Sequence, residues 1–246
     1  MVSLCHLIRL RLAAFIKQFI MIPMKPTKFN SLATQQGIRE EYLAGQVFHA
    51  QDFPDKLFVL SSGYVKRYQA TKPDKKILEL IYGPEHIISL SQLYRTLFKV
   101  DQNHHNFTYI YQAMTDVVMY SLSADFVIKA LENDPQLYKD FFYESGLKLR
   151  SNILRLASNS IKDDYKKVAH QIASLAYEFA DMSAGDIRLK IELPLPQTPT
   201  DIAEQLNISK EVAEAVMISL ARNNVIAING DHITILNMEL LKDAYL

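Results

Sequence analysis

The stretch that decides the fold is Leu195-Pro196-Gln197-Thr198-Pro199-Thr200-Asp201-Ile202-Ala203, continuing as Glu204-Gln205-Leu206-Asn207-Ile208-Ser209-Lys210-Glu211-Val212-Ala213-Glu214. Its first part has the chemistry of a helix start. Thr198 suits the N-cap, where a hydroxyl accepts from a free backbone N–H. Pro199 suits the first helical position, which needs no N–H. Asp201 stands three residues after the cap, with its carboxylate by the positive helix end. Ile202, Ala203 and Leu206 form an inward face, and Asn207 is a left-handed stop. Ser209 then caps a second helix with Val212, Ala213, Val216, Met217 and Leu220 on its apolar side.

Working outward, Val225 to Ile228 and Ile233 to Leu236 are β-branched runs around Asn229-Gly230, a strong hairpin signal. Helix, turn, helix and β-wing is the layout of a winged DNA-binding module. Two amphipathic helices and a hairpin are also ordinary building blocks, so the upstream context matters. From Tyr42 to Leu122 short β-rich runs alternate with bends. The runs are Gln46–His49, Lys56–Leu60, Tyr64–Tyr68, Lys76–Ile81, Phe107–Tyr111 and Val117–Tyr120, with Gly45, Ser62-Gly63, Lys72-Pro73-Asp74 and Gly83-Pro84 between them. Many short strands at near-regular spacing predict a barrel or jelly roll. Asp134-Pro135 then opens a long helix whose apolar positions include Leu137, Phe141, Phe142, Leu149, Ile153 and Leu156. So broad an apolar face needs a partner on two sides: the roll on one, a second copy of the helix on the other. Tyr165 to Phe179 reads as another helix, Asp181 to Gly185 as a loop, and Ile187 to Leu193 as a strand.

Composition bounds the function. The chain has 246 residues, 49% hydrophobic and 22% charged, with one cysteine and a formal net charge of zero. A lone Cys5 excludes an intramolecular disulfide framework and a four-thiolate zinc or iron–sulfur site within one chain. It is consistent with a cytoplasmic protein. Charge is unevenly placed. Residues 1–28 contain Arg9, Arg11, Lys17, Lys25 and Lys28 and no acid, whereas residues 195–246 carry a net −4. An acidic module is an awkward DNA binder, because phosphate neutralisation supplies most non-specific affinity. The apolar, basic start from Leu4 to Met24 is interrupted by Arg9, Arg11, Lys17 and Gln18, short of the about 20 apolar residues that span a bilayer. It reads as a surface-lying amphipathic helix, as a helix packed on the body, or as sequence ahead of a start at Met21 or Met24.

In this order, a β-roll, a long central helix and a winged helix-turn-helix resemble the Crp–Fnr superfamily of bacterial transcription regulators. The resemblance covers roughly residues 35–240. It rests on Gly45, Leu60-Ser61-Ser62-Gly63-Tyr64-Val65, Ala113-Met114-Thr115-Asp116-Val117, Asn133-Asp134-Pro135, and Leu195-Pro196-Gln197-Thr198 through Ile202-Ala203. It implies an α+β fold. Residues 1–34 form a basic, apolar extension, 35–132 a cyclic-nucleotide-binding-like roll, 133–160 a dimerisation helix and 161–246 the DNA-binding domain. It also implies a homodimer acting on double-stranded DNA, with RNA polymerase as a further partner, and no enzymatic activity.

The effector cassette departs from the family. The positions of its Gly-Glu pair are Ile88 and Ser89, and those of its Arg-Ser-Ala are Phe107, Thr108 and Tyr109. The ribose-binding glutamate and phosphate-binding arginine are missing, and Arg95 substitutes only if the intervening segment folds differently. A buried phosphate without a cation is very costly, so no cyclic nucleotide is expected. Another small-molecule effector, or none, stays open. His104-His105 in a polar loop reads as solvated rather than haem-binding, and His49 and His86 as satisfied surface or rim side chains. No metal or cofactor is expected. There is no nucleophile elbow, Gly-rich phosphate loop or HExxH motif.

The resemblance places the second helix in the major groove. Ser209 would bond a phosphate, Lys210 a phosphate or guanine, and Glu211 a cytosine amine. Glu214 adds a second acid, and Ala215 stands where family members usually carry an arginine. With Thr198 and Thr200 these make up the expected DNA-facing set. The expected dimer contacts are Phe142, Leu149, Ile153 and Leu156. Two alternatives follow: a DNA-binding regulator, or a scaffold that kept the fold and became a protein-interaction module.

Overall fold

The computed structural model describes residues 28–49, 52–72, 75–99, 108–180 and 190–245. Helix α1 (Lys28–Gln36) opens it. The strands of the roll follow: β1 (Ile38–Tyr42), β2 (Val47–His49), β3 (Lys56–Ser62), β4 (Val65–Lys72), β5 (Lys75–Tyr82) and β6 (Ile87–Ile88). Helix α2 (Leu90–Phe98) precedes β7 (Thr108–Ala113) and β8 (Val117–Ser123). Two antiparallel four-stranded sheets result, ordered β1-β8-β3-β6 and β2-β7-β4-β5. Between them pack Phe48, Phe58, Leu60, Tyr82, Tyr111 and Met119, all nearly inaccessible. Gly63, at the β3–β4 bend, has φ +84, and a Cβ there would lie 2.3 Å from the Asp116 carbonyl oxygen. Only glycine fits both constraints.

Helix α3 (Ala124–Asn133) is capped by Ser123, whose hydroxyl accepts from Phe126 N–H. The long α4 (Pro135–Ser160) starts as its sequence demands. Asp134 caps it, accepting from the N–H groups of Gln136 (2.9 Å) and Leu137 (3.3 Å). α4 buries Leu137, Phe141 and Leu147, whereas Phe142, Leu149, Ile153 and Leu156 are exposed. The last module comprises α5 (Asp164–Phe179), β9 (Ile191–Glu192), α6 (Pro199–Leu206), α7 (Lys210–Arg222), β10 (Ile226–Asn229), β11 (His232–Ile235) and α8 (Met238–Asp243). The wing pairs Ile226 with Ile235 and Asn229 with His232, which sets Gly230 at the turn with φ 63.

Three expectations change. The division drawn after residue 34 falls inside α1, whose Phe29 and Ala33 are fully buried in the roll's core. The strand expected from Ile187 covers only Ile191–Glu192 within the described residues. His86 is buried, not at a surface or rim. Its Nδ1 accepts from Gly83 N–H at 3.2 Å, and burial, with Lys148 and Arg150 nearby, lowers it to about 3. The intervening cassette segment folds as helix α2, which carries Arg95. The start of the chain through residue 27, the His104-His105 loop, Phe107 and the Asp181–Gly185 loop lie outside the described residues.

Candidate nucleic-acid interface and effector region

The turn between α6 and α7 is built by the residues that announced it. Thr198 and Asp201 form a reciprocal capping box. The Thr198 hydroxyl accepts from Asp201 N–H (3.2 Å), and Asp201 Oδ2 accepts from Thr198 N–H (2.7 Å). The same hydroxyl donates to Asp201 Oδ2 at 2.6 Å. Thr198 is thus engaged within the helix cap, and Thr200 is exposed. Asn207 ends α6 in the left-handed conformation, φ 53 and ψ 46. Ser209 caps α7 by accepting from Val212 N–H.

On α7, Ala213, Met217 and Leu220 are buried, while Lys210, Glu211, Glu214 and Ala215 are exposed. That is the amphipathic division a groove-reading helix requires, and it brings one cation and two acids to the presented face. Hydrogen bonds from the helix start and the Ser209 hydroxyl hold the Glu211 carboxyl below its usual range. It is therefore ionised at neutral pH and opposes phosphate.

The module is tied to the roll by contacts that sequence reasoning missed. Lys66 of β4 is buried and pairs closely with Asp201, with Glu204 3.5 Å away. Tyr68 donates its hydroxyl to Glu204 at 2.9 Å. Phe179 packs edge-on to Tyr64 at 5.8 Å and against Gly83, where an added Cβ would lie 3.0 Å from its ring. Below this junction Gln171 donates to Gln205, and Gln205 to Gln197, each at 2.7 Å.

Of the cassette positions, Ile88, Ser89, Thr108 and Tyr109 lie within the described residues. Ile88 is fully buried on β6, and Ser89, with φ 65, places its hydroxyl 3.4 Å from Tyr111 OH. Thr108 and Tyr109 are half-buried on β7. Nothing is described of the Arg95 side chain. Instead the roll's interior is occupied by an ion pair between aromatic rings. Arg67 lies 2.9 Å from Glu79, and its guanidinium stands 4.9 Å from the Tyr109 ring and 5.7 Å from that of Tyr82. Lys148 of α4 reaches the same place, 4.9 Å from the Tyr82 ring centre. Burial pushes its ammonium well below the usual value, and burial raises Glu144, one turn earlier on α4, to about 7. Two cations, Arg67 and Lys148, thus meet in the roll beside Glu79 and the rings of Tyr82 and Tyr109. Among the described residues, no cluster of His, Cys, Asp or Glu is placed to hold a metal ion, and no helix is long and apolar enough to cross a membrane.

One acid at the α4–α5 junction makes the fold pH-dependent. Glu178 takes a close hydrogen bond from Ser151 and shares a small pocket of about 30 Å³ with Arg155, Gln171, Gln205 and several apolar side chains, among them Leu154 and Phe179. Burial raises its carboxyl to about 7. A carboxyl raised above its unfolded value stabilises the fold most below that unfolded value, and the contribution is lost as pH rises toward 7. Glu178→Gln is expected to be more stable than the parent at pH 8, by on the order of 1–2 kcal/mol after allowing for partial solvent access. The advantage should vanish near pH 4. Urea unfolding at both pH values checks this, and an advantage independent of pH would contradict it.

The geometry above defines a class: a β-roll, a central helix with an exposed apolar stripe, and a winged helix-turn-helix. Residues 166–244 match the Crp-like helix-turn-helix domain. The chain carries that domain, and its whole architecture is the fold of the Crp–Fnr transcription regulators. A CooA variant from Carboxydothermus hydrogenoformans superposes with a TM-score of 0.68 at 14% identity, covering 92% of this chain and 99% of that one. FixK2 from Bradyrhizobium japonicum gives 0.66 at 14%, covering 85% and 98%. TTHA1359, a CRP/FNR-family transcriptional regulator from Thermus thermophilus, gives 0.60 at 18%, covering 85% and 98%. No curated protein sequence matches the chain.

Proposed function

We propose that this chain is a cytoplasmic, homodimeric DNA-binding regulator of transcription that does not respond to cyclic nucleotides and catalyses no reaction. The observation that carries it is the exposed N-terminal half of α7, held by the Thr198–Asp201 box and the Asn207 stop in a Crp-like module. The exposed stripe on α4 supports the dimer, and a dimer would address two half-sites related by two-fold symmetry. The half-buried Arg67–Glu79 pair and the tyrosines around it support the absence of cyclic-nucleotide control, since a nucleotide would have to displace them. RNA polymerase enters as a partner through the family likeness alone.

The second reading, a protein-interaction module, is favoured by the C-terminal net charge of −4 and by Ala215. One titration series separates the two. Binding to fragmented genomic DNA should begin near 50 mM salt, where phosphate contacts keep more of their counterion-release gain. Lys210→Ala should weaken binding to all sequences and lower the salt slope by about one unit. Glu211→Ala should relax preference at one base pair per half-site. Ala215→Arg should raise affinity, because a guanidinium reads guanine with about 1–3 kcal/mol of discrimination. If neither the parent nor Ala215→Arg binds DNA, the interaction-module reading replaces the regulator.

A further inference from the structure

Helices α2 and α3 and the first turns of α4 enclose an apolar groove of about 300 Å³. Leu97, Phe98, Ile128, Leu131, Tyr138 and Phe142 line it, together with Glu132. Leu97 is 49% exposed, Phe98 65% and Tyr138 51%. Large apolar side chains gathered in water in this way mark a surface with an occupant. We propose that the occupant is the chain's own N-terminal segment, residues 1–27, laid into the groove of the same protomer.

The place where the described chain begins points there. The backbone N–H of Lys28 donates to Asp140 at 2.7 Å, and its ammonium pairs with Asp134 at 3.2 Å. Both acids belong to the start of α4, the same turns that bear Tyr138 and Phe142. The next residue, Phe29, is fully buried, with its ring 6.2 Å from Phe141. Phe141 in turn meets Tyr94 of α2 at 6.5 Å, in the groove itself. The segment therefore departs from a point one aromatic side chain away from the site.

Its composition complements the surface. Ile8, Leu12, Phe15 and Phe19 recur at spacings of four, three and four, which is one face of a helix. Arg9, Arg11, Lys17 and Lys25 are its charged residues, with no acid, and the groove side offers Glu132, Asp134 and Asp140. A second copy is a poorer occupant. A two-fold contact of groove on groove would set the same acids of both copies together. The apolar seam through Phe142, Leu149, Ile153 and Leu156 shares only Phe142 with the groove and continues down α4 past it.

Cys5 is the single cysteine of the chain, so benzophenone-maleimide can be placed on it in the full-length protein. Irradiation in a mixture of isotopically light and heavy chains, followed by peptide mapping, locates the segment. Cross-links should fall on residues 90–98 and 128–145 of the same chain. Cross-links to the other copy, to the C-terminal module or to neither overturn the proposal. Trypsin gives an independent readout. Leu97→Asp, at an exposed position, should speed cleavage after Arg11 and Lys17 by about tenfold, because cleavage follows the population of the released segment. An unchanged cleavage rate in a folded Leu97→Asp protein overturns it as well.

Discussion

A chain carrying Leu149→Asp and Ile153→Asp is expected to be monomeric at micromolar concentration and to lose high-affinity DNA binding, with its helix content unchanged. The reasoning starts from spacing. Phe142, Gly146, Leu149, Ile153 and Leu156 follow one another by four, three, four and three along α4, the heptad pattern with Ile153 at an a position and Leu149 and Leu156 at d. β-branched a residues with leucine at d favour two parallel strands. Gly146 has nothing within 4 Å of where a Cβ would be, so it leaves room for a partner helix to approach. Leu149 is 62% exposed and Ile153 53%, so their replacement removes little from the isolated protomer. In a dimer, four such side chains would leave water, worth on the order of 4–6 kcal/mol. Their loss, with four carboxylates placed in the seam, weakens association by about a thousandfold or more. Sedimentation at several concentrations checks the first half, and anisotropy with a two-fold-symmetric site the second. A dimer that persists would move the interface elsewhere.

How far the sequence foretold these features depends on whether the signal is local. The cap at Thr198, the stop at Asn207, the cap at Asp134 and the Asn229-Gly230 hairpin are each set by a few neighbouring residues, and all are present. β1 is different. Ile38-Arg39-Glu40-Glu41-Tyr42 has no apolar alternation, and its strand character comes from pairing with β8, some eighty residues away. α2 has apolar residues at Leu90, Leu93, Leu97 and Phe98, a helical spacing that lies within the segment between the two cassette motifs. α3 has a local signal of the same kind, the Ser123 cap.

The interior charges were the least legible. Arg67, Lys148 and Glu178 sit in segments where a charge ordinarily faces water, and only the packing of the roll against α4 and α5 buries them. The family's register assigns the phosphate-binding cation to position 107, whereas Arg67 belongs to β4. Of the DNA-facing set, Ser209, Lys210, Glu211, Glu214 and Ala215 come to one exposed region, whereas Thr198 turns to its own cap.

Lys66→Met should loosen the C-terminal module from the roll, and it is the single substitution expected to cost most. Lys66 and Asp201 keep only 10% and 13% of their side-chain surface in water. Burial by itself would raise Asp201, but the Lys66 ammonium and the Thr198 hydroxyl and N–H hold it below the ordinary carboxylate range. A depressed carboxyl contributes stability above its unfolded pKa, and that contribution is lost as pH falls through the folded value. Removing the ammonium leaves a carboxylate with its charge uncompensated, and breaking such a buried pair costs about 3–5 kcal/mol. The methionine fills much of the lysine's volume, so the loss is electrostatic rather than a cavity. Two tests distinguish this from general damage. Adding Asp201→Asn to Lys66→Met should recover most of the loss, because the amide keeps a capping oxygen for Thr198 N–H and carries no charge. The cost of Lys66→Met should also shrink as pH falls below about 4, where Asp201 is protonated once its partner is gone. Since Glu204 is held by Tyr68 on the same strand, Tyr68→Phe should weaken the same junction by about 1 kcal/mol, and less than additively with Lys66→Met. If Lys66→Met unfolds like the parent at pH 7, the pair is compensated by solvent. The module's seat on the roll would then rest on the Tyr68–Glu204 hydrogen bond and on the packing of Phe179, Tyr64 and Ile81.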